Sequence, residues 1–87
     1  MMFLQSENYE LGVKGSMRCP GGTVLVTDED ECRDSATVFG KPFNGIACFM
    51  TDVAGCHDNG PYIYLSNCAD GPTAPNHAAV CKHKSNI

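Results

Sequence analysis

The chain has 87 residues, a formal net charge of -4, six cysteines and no tryptophan. A chain of this length forms one domain, and its thin apolar core calls for a covalent or metal staple. The negative charge argues against binding to nucleic acids or anionic membrane surfaces, which requires clustered Lys and Arg side chains. The longest apolar runs, such as residues 46–50, are too short to cross a bilayer, so we expect no transmembrane segment.

The first 18 residues differ in pattern from the rest of the chain. Gly12, Gly15 and Ser16 interrupt this segment, and its large apolar residues follow neither a helical nor an alternating period. Such a segment cannot bury itself, so we expect an extended N-terminal arm, residues 1–18, ordered by the domain's own surface or by a partner. We expect much of its burial to be against another chain. The arm residues expected at that interface are Met1, Met2, Phe3, Leu4, Tyr9 and Leu11.

The cysteines define a second segment, a stapled domain over residues 19–82, followed by a short tail, residues 83–87. They are Cys19, Cys32, Cys48, Cys56, Cys68 and Cys81. Structural zinc sites take ligands from pairs two to four residues apart, and no such pair or C-x-x-C redox motif occurs here. An even number of widely spaced cysteines predicts three disulfides and therefore an oxidising compartment.

The domain begins with a turn at residues 20–22 and a short β-branched strand at residues 23–26. Thr27 is predicted to cap a helix over residues 28–39, because three acidic residues follow it where the helix dipole favours negative charge. Cys32, Ala36 and Phe39 share one face of this helix, and Gly40 is predicted to end it.

Three further segments complete the predicted fold. Alternation predicts strands at residues 46–50 and 62–65, and residues 78–82 are expected to add a closing edge strand after a loop at residues 69–77. The predicted fold class is therefore small, disulfide-rich α+β, with one helix on a three- to four-stranded antiparallel sheet.

No pattern of reactive side chains points to an enzyme. An EF-hand loop starting at Asp28 would need glycine at Arg33 and an acid at Phe39, so the acidic run is interpreted as a helix start. His57, His77 and His83 fit no zinc motif, and we interpret them as surface loop histidines. With every cysteine paired, no thiolate remains for covalent chemistry. We expect no catalytic residue, no metal and no cofactor.

Tyr62 and Tyr64 lie on one face of the predicted third strand. Two exposed aromatic rings can stack on a sugar or anchor a protein partner. Two such rings can equally cover a sheet face in a small domain. The sequence leaves both interpretations open.

Short motifs mark the run from Cys19 to Lys82. They are Cys19-Pro20-Gly21-Gly22-Thr23, Val26-Thr27, Glu31-Cys32, Gly40-Lys41-Pro42-Phe43, Gly55-Cys56, Tyr62-Ile63-Tyr64 and Val80-Cys81-Lys82. In these motifs, over about three-quarters of its length, the chain resembles a small Cys-rich module that recurs in predicted proteins of dinoflagellates and some other algae.

The resemblance also bears on the disulfide pairing. The simpler modules have counterparts of the other four cysteines but lack both Cys48 and Cys68, which implies that these two are bonded to each other. Three connectivities remain for the other four. We favour Cys19–Cys81 and Cys32–Cys56, which tie the ends together and the helix to the sheet.

The resemblance to an algal module implies a setting in the thylakoid lumen. The leading hypothesis is a non-catalytic accessory subunit that braces a larger membrane assembly, specifically photosystem I, through contacts with its protein subunits. The rival hypothesis is a secreted, extracellular module that binds carbohydrate or a cell-surface protein through Tyr62 and Tyr64. A third is a protease inhibitor or toxin-like ligand that uses the loop at residues 69–77.

Overall fold

The computed structural model describes residues 8–48, 53–69 and 71–83. Within these ranges, one helix packs on one face of a mixed six-stranded sheet. The elements in chain order are β1 (Tyr9–Leu11), β2 (Thr23–Leu25), α1 (Glu29–Phe39), β3 (Phe43–Ala47), β4 (Gly55–Asp58), β5 (Ile63–Ser66) and β6 (Ala78–His83). The prediction of a small disulfide-rich fold with one helix is confirmed, but the sheet has more strands than expected and is not purely antiparallel.

Helix α1 begins and ends close to the predicted positions. Its N-cap is Asp28 rather than Thr27, because the Asp28 carboxylate accepts the backbone N–H of Glu31 at 3.0 Å and adds negative charge at the helix start. The helix ends at Gly40, whose φ of 70° is left-handed, and the next amide, that of Lys41, donates to the carbonyl of Ala36.

Strand β6 lies inside the sheet, so the prediction of a closing edge strand is wrong. The strand order is β1-β6-β4-β5-β3, and β2 also pairs with β6. All three neighbours of β6 are antiparallel to it. Residues 78–81 are all buried. A continuous run of small and apolar residues is typical of a strand covered on both faces, which an edge strand is not.

The sheet is mixed because β3 pairs in parallel with β5. Strand β4 follows β3 in the chain but is not its neighbour in the sheet. Strand β5 then returns antiparallel to β4 and lies between it and β3. A strand inserted in this way is necessarily parallel to β3, which local patterns cannot reveal.

Strands β1 and β4 were not predicted, and the bounds of β3 and β5 differ from the predicted ones. Strand β4 has the sequence Gly-Cys-His-Asp, which carries none of the β-branched residues that usually mark a strand, although all four residues are buried. Strand β3 starts at Phe43, three residues before the predicted strand, and residues 49 and 50 of that prediction lie outside the described ranges. Strand β5 is displaced by one residue from the prediction.

Part of the predicted arm belongs to the sheet. Strand β1 pairs antiparallel with β6, and the backbone N–H of Gly12 donates to the carbonyl of Ala79 at 2.8 Å. Met17 is buried at 5% exposure. The physical reason is that β6 pairs with β4 on one side, which leaves the backbone groups of its other side to bind β1. These backbone hydrogen bonds order the segment, so its side chains need no periodic apolar pattern. Residues 1–7 lie outside the described ranges.

The sheet separates two sets of buried side chains. The front face, covered by α1, holds Val26, Cys32, Ala36, Cys56, Ile63, Leu65 and Val80, with Tyr9, Leu11, Phe39 and Phe43 packed at its margin. The back face holds Met17, Ala79 and Cys81, with Cys19 and Leu25 packed against them. Alternation along β6 accounts for this division, because Val80 points to the front whereas Ala79 and Cys81 point to the back.

Three disulfides join these layers: Cys48–Cys68, which the resemblance implied, and Cys19–Cys81 and Cys32–Cys56, the pairs that we favoured among three possible connectivities. No cysteine is free. The second bond ties the helix to β4 within the front core, and the first closes the back face. Three disulfides are compatible with an oxidising compartment.

We predict that the Cys32–Cys56 bond stabilises the fold more than the Cys48–Cys68 bond. The two bonds span 24 and 20 residues, so their effects on loop entropy are nearly equal. Cys32 and Cys56 are fully buried, however, whereas Cys48 is exposed. Replacing both members of the buried pair by alanine should cost about 2–5 kcal/mol and also leave a cavity. Urea unfolding of the two double variants measures the difference, and equal losses would contradict it.

We also predict that Gly12→Ala destabilises the domain. A Cβ at this position would overlap the backbone carbonyl oxygen of Arg18, which cannot move aside as a side chain could. The expected loss in the free energy of unfolding is about 1–3 kcal/mol. Gly21→Ala is the matched control, because no atom lies within 4 Å of a Cβ built there. Thermal unfolding of both variants gives the comparison, and an unchanged Tm for Gly12→Ala would refute the prediction.

Candidate functional site

The back face of the sheet carries a buried cluster of two histidines and a tyrosine. His57 of β4 lies opposite Tyr64 of β5 in the register, and His77 immediately precedes β6. Their exposed fractions are 0% for His57, 2% for Tyr64 and 4% for His77. The interpretation of His57 and His77 as surface residues is therefore wrong, because His57 belongs to the missed strand β4 and the loop carrying His77 folds over the sheet. His83 is exposed as expected.

The rings of this cluster are in direct contact. The centroids of His57 and Tyr64 are 3.8 Å apart with tilted planes, and His57 and His77 meet edge to face at 5.2 Å. The ring of Tyr62 lies 5.9 Å from that of Tyr64. Such offset and edge-to-face arrangements stabilise a core beyond the area that they bury.

His57 is held in its neutral form. Neither of its ring nitrogens has a hydrogen-bond partner in the part of the chain that the structure describes. Burial and, to a lesser degree, the neighbouring His77 lower the pKa of His57 to about 4, while Asp58 acts in the opposite direction. Burial also lowers the pKa of His77.

The acidic neighbour of this cluster is already paired. Asp58 accepts a 2.8 Å hydrogen bond from the Lys41 ammonium group and a 3.0 Å hydrogen bond from the backbone N–H of Gly60. Its side chain is 4% exposed. A carboxylate held in this way is not oriented to activate His57 as a general base, and His57 has no exposed surface with which to reach a substrate. The expectation that the chain is not an enzyme stays a prediction.

The predicted interface residues occupy different environments. Tyr9 and Leu11 are partly buried against the front core. Tyr62 is partly buried and Tyr64 is fully inside, so these two rings cover the back of the sheet and do not form one exposed aromatic face. Met1, Met2, Phe3 and Leu4 lie outside the described residues.

Two exposed apolar residues at one end of the sheet were not foreseen from the sequence. Ile46 on β3 is 49% exposed and Val53, at the entrance to β4, is 44% exposed. Ala47 between them in sequence is also exposed. The register places Ala47 and Gly55 on either side of Ser66, so β3 ends and β4 begins at the same end of the sheet. We call the two exposed residues Ile46 and Val53 at this end of the sheet the edge surface. The exposure of Ile46 follows from the position of β3 at the margin of the sheet, and that position is given by the strand order alone. The sequence therefore contains no local pattern that predicts this exposure.

A cleft of about 250 Å³ lies between β1 and the outer side of α1, lined by Tyr9, Asp34, Thr37 and Val38. Partial burial raises the pKa of the Tyr9 phenol, and Asp34, Glu31 and Asp28 raise it further. This negative potential disfavours anionic ligands. Across residues 8–48, 53–69 and 71–83, no three His, Cys, Asp or Glu side chains are grouped so that they could hold a metal ion.

Comparison with known proteins yields no relative. No protein-family model matches the chain, and neither the curated proteins nor the solved structures give a match. The described residues contain no helix that is both long and apolar enough to span a membrane.

We predict that Tyr64→Ala is much more costly than Tyr62→Ala. Tyr64 is 2% exposed and packs on His57, whereas its neighbour on the same face is only partly buried. Truncating a fully buried aromatic ring costs about 3–5 kcal/mol, and we expect less than half of this for Tyr62. Urea unfolding at neutral pH measures both losses. A small loss for Tyr64→Ala would restore the interpretation of this pair as a binding face.

Proposed function

We propose that this chain is a non-catalytic accessory subunit that braces a larger protein assembly. The observation that carries the proposal is the edge surface. Ile46 and Val53 expose about half of their side chains at the end of the sheet where the Cys48–Cys68 bond holds the chain. An apolar contact on a preformed scaffold loses little conformational entropy on binding, which favours association with a protein.

The position of the edge surface adds a second argument. Among the described strands, β3 pairs with β5 alone and therefore forms one margin of the sheet. An outer strand with exposed apolar side chains is a recurrent site of association between proteins, and it is a liability in a protein that remains alone. Covering Ile46 by a partner would remove that liability.

The proposed setting rests on the resemblance to algal Cys-rich modules together with the three disulfides. We propose the thylakoid lumen as the compartment and the lumenal side of photosystem I as the assembly. The net charge of -4 fits a protein partner better than a nucleic acid or an anionic lipid surface. An extracellular location would satisfy the disulfides equally well.

The alternative functions have less support. A carbohydrate-binding module acting through Tyr62 and Tyr64 needs two exposed rings, and Tyr64 is buried. A protease inhibitor needs a loop that projects into a cleft. In the loop at residues 69–77, Ala74 and His77 are buried, which ties its second half to the domain.

The proposal predicts that the oxidised protein binds photosystem I isolated from dinoflagellate thylakoids, and that the edge surface carries the contact. The double variant Ile46→Ser, Val53→Ser should bind at least tenfold more weakly, about 1.4 kcal/mol, because buried apolar anchors dominate interface energies. Val24→Ser is the matched control, since Val24 is 36% exposed on β2, away from β3. Surface-immobilised protein and a concentration series of the complex give the dissociation constants.

A second variant tests the contribution of the N-terminal apolar residues. Deletion of residues 1–7 removes Met1, Met2, Phe3 and Leu4 but leaves β1 and its pairing with β6 intact. We expect this variant to retain all three disulfides and to bind more weakly. Absence of binding by the unmodified protein, or equal binding by the protein and both variants, would refute the proposal.

A further inference from the structure

We propose that His57 is an acid-operated latch: protonation of its imidazole releases the two segments that cover the back of the sheet, residues 12–17 and residues 71–77. We call these two segments the back-face cover. The inference depends on the buried cluster and does not rest on the identity of any partner.

The two segments of the back-face cover are joined to each other and to the sheet at separate points. The backbone N–H of Gly12 donates to the carbonyl of Ala79 on β6 at 2.8 Å, and the side-chain amide of Asn76 donates to the carbonyl of Asn59 at 3.2 Å. The backbone N–H of Gly15 donates to the carbonyl of His77 at 2.6 Å, and the N–H of His77 donates to the carbonyl of Ala74 at 3.0 Å. Ser16 forms an isolated bridge with Ala78. Met17 is the one large apolar side chain that residues 12–17 bury. A segment with so little buried apolar area opens at a lower free energy than the sheet below it.

His57 lies beneath this cover in surroundings that cannot accept a charge. From β5 it faces the rings of Tyr64 and, beyond it, Tyr62. From the cover it faces His77, whose protonation would add a like charge 5.2 Å away, centroid to centroid. From β6 it is opposite Ala79, which carries no charge. A buried imidazolium in this position is shielded from water, and among the described residues Asp58 is the carboxylate that acts on it.

The neighbouring carboxylate does not relieve the charge. Asp58 follows His57 on the same strand, so its side chain points to the other face of the sheet. There it is bound to Lys41 at 2.8 Å and to the backbone N–H of Gly60. Its attraction for a charged His57 is smaller than the opposing effect of burial. Water can therefore reach a charged His57 ring only if one of the segments that cover it moves away.

The cover is the element that can move. Strand β4 is paired on one side with β5 and on the other with β6, and Cys56, which precedes His57, is bonded to Cys32 in the helix. Breaking those contacts would unfold the front core. Opening the cover separates its two segments, which breaks the Gly15–His77 hydrogen bond between them and exposes Met17, while all three disulfides remain closed.

The sign of the pH dependence follows from the direction of the pKa shift. Burial holds the pKa of His57 at about 4 with the cover closed, and an open cover returns it toward the ordinary value of about 6.5. The open form therefore binds more protons between these values. The closed form is fully favoured above pH 6.5 and loses its advantage as the pH falls toward 4.

Amide hydrogen exchange on the complete, oxidised protein tests the latch. Between pH 7.5 and pH 5.0, protection factors of the Gly15 and His77 amides should fall about thirtyfold after correction for intrinsic rates, the ratio that the two pKa values imply. The amide of Cys32 in the helix and that of Lys41 just after its C-terminal cap, which donate to the carbonyls of Asp28 and Ala36, should change less than threefold. An unchanged cover, or an equal fall in the helix, would overturn the proposal.

Two variants separate the buried His57 from an exposed titrating group. His57→Leu, of similar volume, should reduce the fall in protection at Gly15 and His77, and the part that remains comes from His77, whose pKa burial also lowers. An undiminished fall in this variant would overturn the proposal. His83→Gln should preserve it, because His83 is exposed and pairs with Glu10 at the surface. If His57→Leu does not fold, the ring of His57 in the unmodified protein can be titrated by NMR. A midpoint at or above 6.5 would overturn the latch without any variant.

Discussion

The whole architecture depends on the pairing of strand β6. This strand contributes hydrogen bonds to β1, β2 and β4, and its residues Val80 and Cys81 enter the front and back cores respectively. Without β6, strands β1 and β2 would lack the strand with which both of them pair. The back face would also lose the buried side chains of Ala79 and Cys81. Its sequence is suited to this position, because alanine allows covering segments to approach closely and Val80 fills the space below the helix.

The two faces of the sheet are stabilised in different ways. The front face is a conventional apolar core in which the helix, strands β4, β5 and β6 and the Cys32–Cys56 bond meet. The back face is covered by irregular chain, and much of its buried volume consists of aromatic and imidazole rings. Rings bury large areas at low entropic cost, but an imidazole keeps its capacity to ionise. Stability at the back is thus tied to proton concentration in a way that stability at the front is not.

The parts of the fold that could be predicted were those with local causes. Helix α1 was recognisable because Asp28, the acidic first turn and Gly40 each act on residues within one turn of the chain. The framework of three disulfides followed from the number and spacing of the cysteines. The strands at Thr23 and Ile63 were recognisable from β-branched and aromatic residues.

The remainder could not be predicted because its causes are non-local. Strand β4 exists because β5 and β6 flank it, and its own residues give no sign of this. The burial of His57 depends in turn on β4 and on a loop twenty residues further along the chain. The exposure of Ile46 depends on β3 lying last in the strand order. The candidate sites are therefore properties of topology, which a pattern of residue types does not encode.

The central position of β6 also determines when the domain can fold. Strands β1, β2 and β4 are all made before the strand to which they bind, so none of them can complete its pairing until residues 78–83 have been synthesised. The Cys19–Cys81 bond, which spans 62 residues, is subject to the same delay. During synthesis, the chain up to β5 is restricted to its helix and to the β3–β4–β5 segment. A domain whose sheet is completed by the last of its described strands reaches its full set of hydrogen bonds only after that strand has been made.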